Sequence, residues 1–237
     1  MTIAFTLVAA LLPSALLLMY FIKQDRFPEP THLLVKTFLL GVFSVVPVLI
    51  LEFVLIVTTV IPAGDTVLKP ILSAFLVAGF SEELFKFLIL HLYCARKRDF
   101  DEPMDAVVYG VVASLGFACL ENVGYVMGGG LWVAVVRAIT AVPAHAAMGA
   151  LMGYFYAQQH FGEARRVRFM SKALGVPILV HGLYDFFPMC ISGGPVDPNK
   201  DVALTIGLMT LWVAFALWLC WSGLAISSEM RRKQFRR

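Results

Sequence analysis

The sequence predicts an all-α integral membrane protein, a bundle of about seven transmembrane helices with its N-terminus outside and its C-terminus in the cytoplasm. Three observations carry this. The first is composition: 59% of the residues are hydrophobic and 15% charged, with a mean hydropathy of +0.81, which excludes an ordinary soluble domain. The second is length. A helix needs about 20 apolar residues to cross a bilayer, and seven stretches qualify, near 3–22, 37–61, 69–94, 104–127, 131–157, 170–191 and 202–226. They use nearly the whole chain, so residues 1–237 read as a single transmembrane domain with a basic tail at 227–237.

The third is where the positive charge falls. Lys23 and Arg26 follow the first span, and Arg96, Lys97 and Arg98 follow the third. Arg165, Arg166, Arg168 and Lys172 lie between the fifth and sixth or just inside the sixth, and the tail holds Arg231, Arg232, Lys233, Arg236 and Arg237. The alternate loops carry only Lys69 and Lys200. Positive residues stay on the cytoplasmic side, which places the N-terminus outside, and an odd number of spans requires opposite ends. The net charge of +3 therefore serves topology and says little about nucleic acid.

Taken in order, the first span opens at Met1–Thr6 with no basic residue and closes on no small-residue cleavage site, so it reads as a retained anchor. Asp25–Pro30, with two prolines, breaks the chain into a cytoplasmic turn before the second span. The third span, inside the apolar run Leu68–Tyr93, contains Phe80-Ser-Glu-Glu-Leu-Phe-Lys86. Two carboxylates and an ammonium are costly there and mark a working site more often than a structural ion pair. Spacings of four and three let either Glu82 or Glu83 pair with Lys86, while the roughly 100° between adjacent helical residues gives the two glutamates different directions and different jobs. Gly128, Gly129 and Gly130 link the fourth and fifth spans so tightly that these must be antiparallel neighbours. The loop 192–200, rich in glycine and proline, is the most flexible segment expected on the outer face. Cys94, Cys119, Cys190 and Cys220 show no CxxC spacing and read as small buried hydrophobes.

Other polar residues sit inside the spans. Counting about 1.5 Å per residue, Glu82 and Glu83 lie roughly 18 to 21 Å from the outer end of their span, His145 roughly 21 Å from the outer end of the fifth, and His181 roughly 16 Å in from the cytoplasmic side of the sixth. Carboxylates and imidazoles from three helices thus converge at one depth. Asp185 follows His181 by four residues and shares its helix face, where it can orient the imidazole. Glu121 and Arg137 each lie roughly 9 Å from the outer ends of neighbouring spans, so a structural pair between them competes evenly with a catalytic role for Glu121. Asn122 is either an oxyanion donor or a packing hydrogen bond. Gly149 and Gly182 permit close helix approach. Asp105, His91, Lys36 and Glu52 read as structural.

Glu82-Glu83-x-x-Lys86, Phe117-x-x-x-Glu121-Asn122, His145-x-x-x-Gly149 and His181-x-x-x-Asp185, in this order on successive spans, resemble the PrsW family of intramembrane proteases over about residues 20–190. Glu29-Pro30 and Glu102-Pro103 add to the likeness, and Ala106, where the family pattern has glycine, departs from it. The pattern is distantly similar to the membrane CAAX prenyl endopeptidases and to the seven-span scaffold subunit of gamma-secretase. The resemblance implies a multi-pass protein of the bacterial cytoplasmic membrane that hydrolyses a membrane-anchored protein, an anti-sigma factor cut to start a stress response. Glu82 or Glu83 would act as general base, with His145 and His181 holding the water or the oxyanion and Lys86, Glu121, Asn122 and Asp185 in support. The zinc alternative takes His145 and His181 with a carboxylate as ligands, and the metal-free glutamate reading is preferred to it. A proton-coupled transporter or a non-catalytic scaffold is the competing class.

Overall fold

The structure, a computed structural model, describes residues 3–58, 66–162 and 167–234. Arg165, Arg166, Arg236, Arg237 and the end of the second expected span lie outside the described residues. All regular structure among those described is helical. Helices α1 (Ile3–Gln24) and α2 (Thr31–Thr58) are joined by the proline-broken turn. The next stretch is divided among α3 (Leu68–Ile71), a π-helical segment Leu72–Phe80, α4 (Ser81–Leu88), a second π-helical segment Ile89–Tyr93 and a 3₁₀ turn Cys94–Arg96. Then come α5 (Pro103–Ile139), α6 (Ala141–His160), α7 (Val167–Ile191) and α8 (Val202–Gln234).

By length and hydropathy, five described stretches are apolar enough to cross a membrane: Phe5–Gln24, Thr31–Thr58, Pro103–His160, Met170–Ile191 and Val202–Gln234. The third is 58 residues long, more than twice what one crossing needs. It folds back on itself at two backbone breaks, Gly130 (φ 73°, ψ −166°) and Thr140 (φ −121°, ψ −72°). The expected third span is not a uniform α-helix, because π-helical turns flank the diglutamate on both sides. Such turns recur at functional sites and cannot be seen in a hydrophobic pattern.

The hairpin α5–α6 is the axis of the bundle: 78% of its most apolar window is buried, against 11 to 28% for the other four stretches. Its two backbones meet without side chains between them. A Cβ at Gly110 would lie 2.4 Å from the Gly149 carbonyl oxygen, and one at Gly153 would lie 2.2 Å from that of Ala106, so larger residues would force the helices apart. Helix α2 is pinned to α5 in the same way, at Gly41 against Ala113 and at Gly116 against Phe38. The large apolar side chains of α1, α2 and α8, among them Phe43, Phe53, Val57 and Trp221, point outward. That pattern suits lipid as solvent and makes this a multi-pass membrane protein.

Candidate active site

Lys86 is the centre of the site. Its side chain is wholly buried, and its ammonium donates to Glu82 Oε2 at 3.0 Å, Glu83 Oε1 at 2.8 Å and His145 Nδ1 at 3.1 Å, which uses all three of its N–H bonds. The ammonium also lies 4.5 Å from the centroid of the Phe117 ring, a cation–π contact that adds to its compensation. The spacing of four and three along α4 brings both carboxylates to the lysine, as the sequence predicts.

The tautomer of His145 follows. An ammonium only donates, so Nδ1 is the acceptor and the proton sits on Nε2, which donates to Glu121 Oε2 at 3.0 Å. The same Glu121 oxygen accepts from Arg137 Nη2 at 2.6 Å. The two roles weighed for Glu121 are therefore not alternatives: it pairs with Arg137 and reaches the histidine as well. Depth counting along Cα positions misses this. Ser114 Oγ donates to the His145 carbonyl at 2.8 Å, and Glu121 lies about 10 Å further along α5. Side chains lean toward the N-terminus of their own helix, so in an antiparallel pair these two lean toward each other and close the gap. As an expected outcome, Glu121→Gln should lower both activity, by roughly 10- to 100-fold, and stability, by about 1–3 kcal/mol. Adding Arg137→Gln should restore thermal stability in detergent without restoring turnover.

His181 links the other edge. Its Nδ1 is 2.8 Å from Glu83 Oε1 and its Nε2 is 3.3 Å from Asp185 Oδ2 and 3.8 Å from Glu82 Oε1. With a carboxylate at each ring nitrogen, the imidazole can donate at both ends only in its protonated form. Its ring meets that of His145 edge to face, centroids 5.5 Å apart. Gly182 and Gly79 permit the approach of α7, since a Cβ at Gly182 would strike the Phe75 ring at 2.3 Å and one at Gly79 would lie 3.0 Å from the Ile178 carbonyl oxygen.

A cavity of about 360 Å³ opens on this cluster, and Glu82, Glu121, His145, His181 and Asp185 line it. Glu83 does not, and is wholly buried behind. Glu52 of α2 also lines the cavity although the sequence left it structural. The signal was available, since a lone carboxylate inside an apolar span is costly wherever it lies, but no partner in sequence gave it a place. A second cavity of about 560 Å³ shares Ser73, Tyr125, Arg137, Tyr184, Asp185 and Met189 with the first and extends to Lys69 and Gly193. There Lys69 Nζ donates to the Gly193 carbonyl at 2.8 Å and tethers the loop expected to be most flexible. Asn122 lines neither cavity: its amide donates to the Ala10 carbonyl and accepts from Arg137 Nε, tying α1 to α5.

Among the described residues, Glu82, Glu83 and His145 bring ligand atoms within 4.8 Å of one another. Carboxylates and an imidazole are donors that zinc accepts, yet the Lys86 ammonium lies in contact with all three. A cation of the chain holds that position, and as arranged these residues do not fit a metal ion.

Carboxylates, imidazoles and an ammonium gathered among membrane helices beside an open cavity are the groups a hydrolytic enzyme of the membrane needs. Residues 29–221 match the family described as PrsW family intramembrane metalloprotease, and the chain belongs to the PrsW family of intramembrane proteases. It is 38% identical over 186 residues to the Protease PrsW of Bacillus subtilis (strain 168), covering 78% of this chain and 83% of that one. Against the Protease PrsW of Shouchella clausii (strain KSM-K16) the identity is 35% over 205 residues, 86% of this chain and 93% of the relative. Against that of Geobacillus kaustophilus (strain HTA426) it is 33% over 184 residues, 77% and 79%. No solved structure matches the chain.

Proposed function

We propose that this protease cuts a membrane-anchored protein, of the anti-sigma-factor kind, with Glu82 as the base that activates water. The observation that carries the reading is the placement of Glu82, the diglutamate member that lines the cavity while remaining tied to the buried Lys86. Its second oxygen, Oε1, takes the proton as water attacks the peptide carbonyl. Glu82 then gives that proton to the amine nitrogen as the C–N bond breaks, while the His181 Nε2–H, 3.8 Å from Oε1, turns from Asp185 to the developing oxyanion. Glu83 holds the His181 ring by Nδ1 throughout, Asp185 holds Nε2 until the oxyanion forms, and Glu121 holds His145 so that its lone pair stays on Lys86. Water arrives through the second cavity.

The family description favours a metal as the alternative, and for that reading Lys86 must leave the space between Glu82, Glu83 and His145. Cleavage of a co-expressed single-span substrate, followed with metal analysis of the purified enzyme, separates the two. The expected result is cleavage that resists a chelator and less than stoichiometric metal. Activity lost to a chelator and regained with zinc would overturn the metal-free mechanism, and absence of any cleavage by the intact chain would overturn the substrate class.

We further propose seven crossings of the bacterial cytoplasmic membrane, with the basic loops inside. Cysteines introduced at the exposed positions Ser192 and Arg98 should react from opposite faces: Ser192→Cys with an impermeant maleimide on intact cells, Arg98→Cys only after lysis. Reversed labelling would invert the topology.

A further inference from the structure

A second polar cluster lies far from the active site, at the end of the bundle where α1, α5 and α8 meet. Asp105 begins α5 and Glu121 follows it by about 24 Å of helix, so the two sites are distinct. Asp25 from the α1–α2 turn, Glu102 from the turn before α5 and Asp105 from the first turn of α5 bring one oxygen each within 4.8 Å of one another. All three are buried, at 7%, 8% and 0% exposure. Glu29 is buried against the same cluster, accepts from the Tyr109 hydroxyl and touches Asp105.

Asp25 and Asp105 each have one oxygen satisfied and one not. Asp105 Oδ2 accepts from the amides of Asp101 and Glu102 at 2.8 and 2.7 Å. Asp25 Oδ1 accepts from the Phe27 amide and, at 2.8 Å, from Gln234 Nε2, which also donates to Glu102. Asp105 Oδ1 and Asp25 Oδ2 are buried with no hydrogen-bond partner. Lys233 pairs with Glu229 at 2.7 Å, and Arg231 donates to Gln24 at 3.0 Å. A cavity of about 250 Å³, lined by Glu102, Lys233 and Gln234, opens beside the cluster.

We propose that this elbow binds a divalent cation of the hard, oxygen-preferring class, Ca²⁺ or Mg²⁺. An all-oxygen donor set selects that class over zinc. Oxygens around an ion at about 2.1–2.5 Å are separated by no more than about 4–5 Å, which is the spacing the three carboxylates hold. The two unpartnered oxygens come from different elements, so a bound ion clamps the α1–α2 turn to the start of α5, with Gln234 of α8 fastened over both. The adjacent cavity is the entry path.

The test uses the purified full chain in phospholipid-free detergent, stripped with a chelator and titrated with Ca²⁺ or Mg²⁺ alone while heat of binding and thermal unfolding are followed. About one equivalent should bind saturably and raise the melting temperature. Asp25→Asn and Asp105→Asn keep an oxygen for the amide hydrogen bonds and remove the charge, and each should weaken binding about tenfold or more. His145→Ala, in the membrane site, should bind the same equivalent. Should Asp105→Asn fail to fold, the wild-type titration and Asp25→Asn decide. No saturable binding by the wild type, or equal binding by the Asp25→Asn, Asp105→Asn double variant, would overturn the proposal. So would a double variant more stable than a wild type that ignores both ions, since the carboxyls would then be neutralised by shared protons.

Discussion

Glu82→Gln should give a well-folded protein whose cleavage of a single-span substrate is slower by roughly two to four orders of magnitude. The amide keeps the shape of the side chain and an oxygen for the Lys86 ammonium, which retains Glu83 and His145 as partners, but it cannot take a proton from water. Glu83→Gln should behave differently. Glu83 is wholly buried, and one of its oxygens joins Lys86 to His181, so its loss disturbs two partners and should lower folded yield together with activity. The contrast is read by measuring turnover and thermal unfolding on the same preparations. Equal turnover by Glu82→Gln and the wild type would remove the base from the mechanism.

Lys86→Met should be the most destructive single change for the fold. It leaves two adjacent carboxylates buried with no ammonium, and breaking a buried ion pair from one side costs about 3–5 kcal/mol. That is a large share of a marginally stable protein's total, so most of the variant should be lost to degradation or aggregation. Expression level and melting temperature measure this. The variant also empties the position among Glu82, Glu83 and His145 that a metal ion would need. A stable Lys86→Met protein that takes up one zinc would show that the space is built for an ion and that lysine is a stand-in.

Much of this site was legible from spacing because spacing is what a helix converts into direction. Glu82, Glu83 and Lys86 on α4 and His181 and Asp185 on α7 pair as their intervals require. Contacts between helices were legible only where depth alone decides them. Glu121 and His145 meet because both side chains lean along their axes, a displacement that counting Cα positions leaves out. Glu52 was passed over since a single acid on its own helix has no interval to read. The helix types on either side of α4 were hidden for another reason: apolar residues line every face of a lipid-embedded segment, so the pattern carries no period. Asp25, Glu29 and Glu102 fell in connecting segments and Asp105 at the first turn of a span, where charge is ordinary until burial is known.

The C-terminal half of α2 is packed differently from the half that meets α5. Gly41 fixes the helix to α5 by backbone contact, Pro47 removes a rung of its hydrogen-bond ladder just beyond that point, and past Val48 no described residue of α2 is buried. That half, with Glu52 on it, forms one wall of the cavity at the candidate site, and the Leu72–Phe80 segment, α4, α5, α6 and α7 form the others. Phe53 and Val57 on this half are exposed, so at this wall the cavity is a single helix away from lipid.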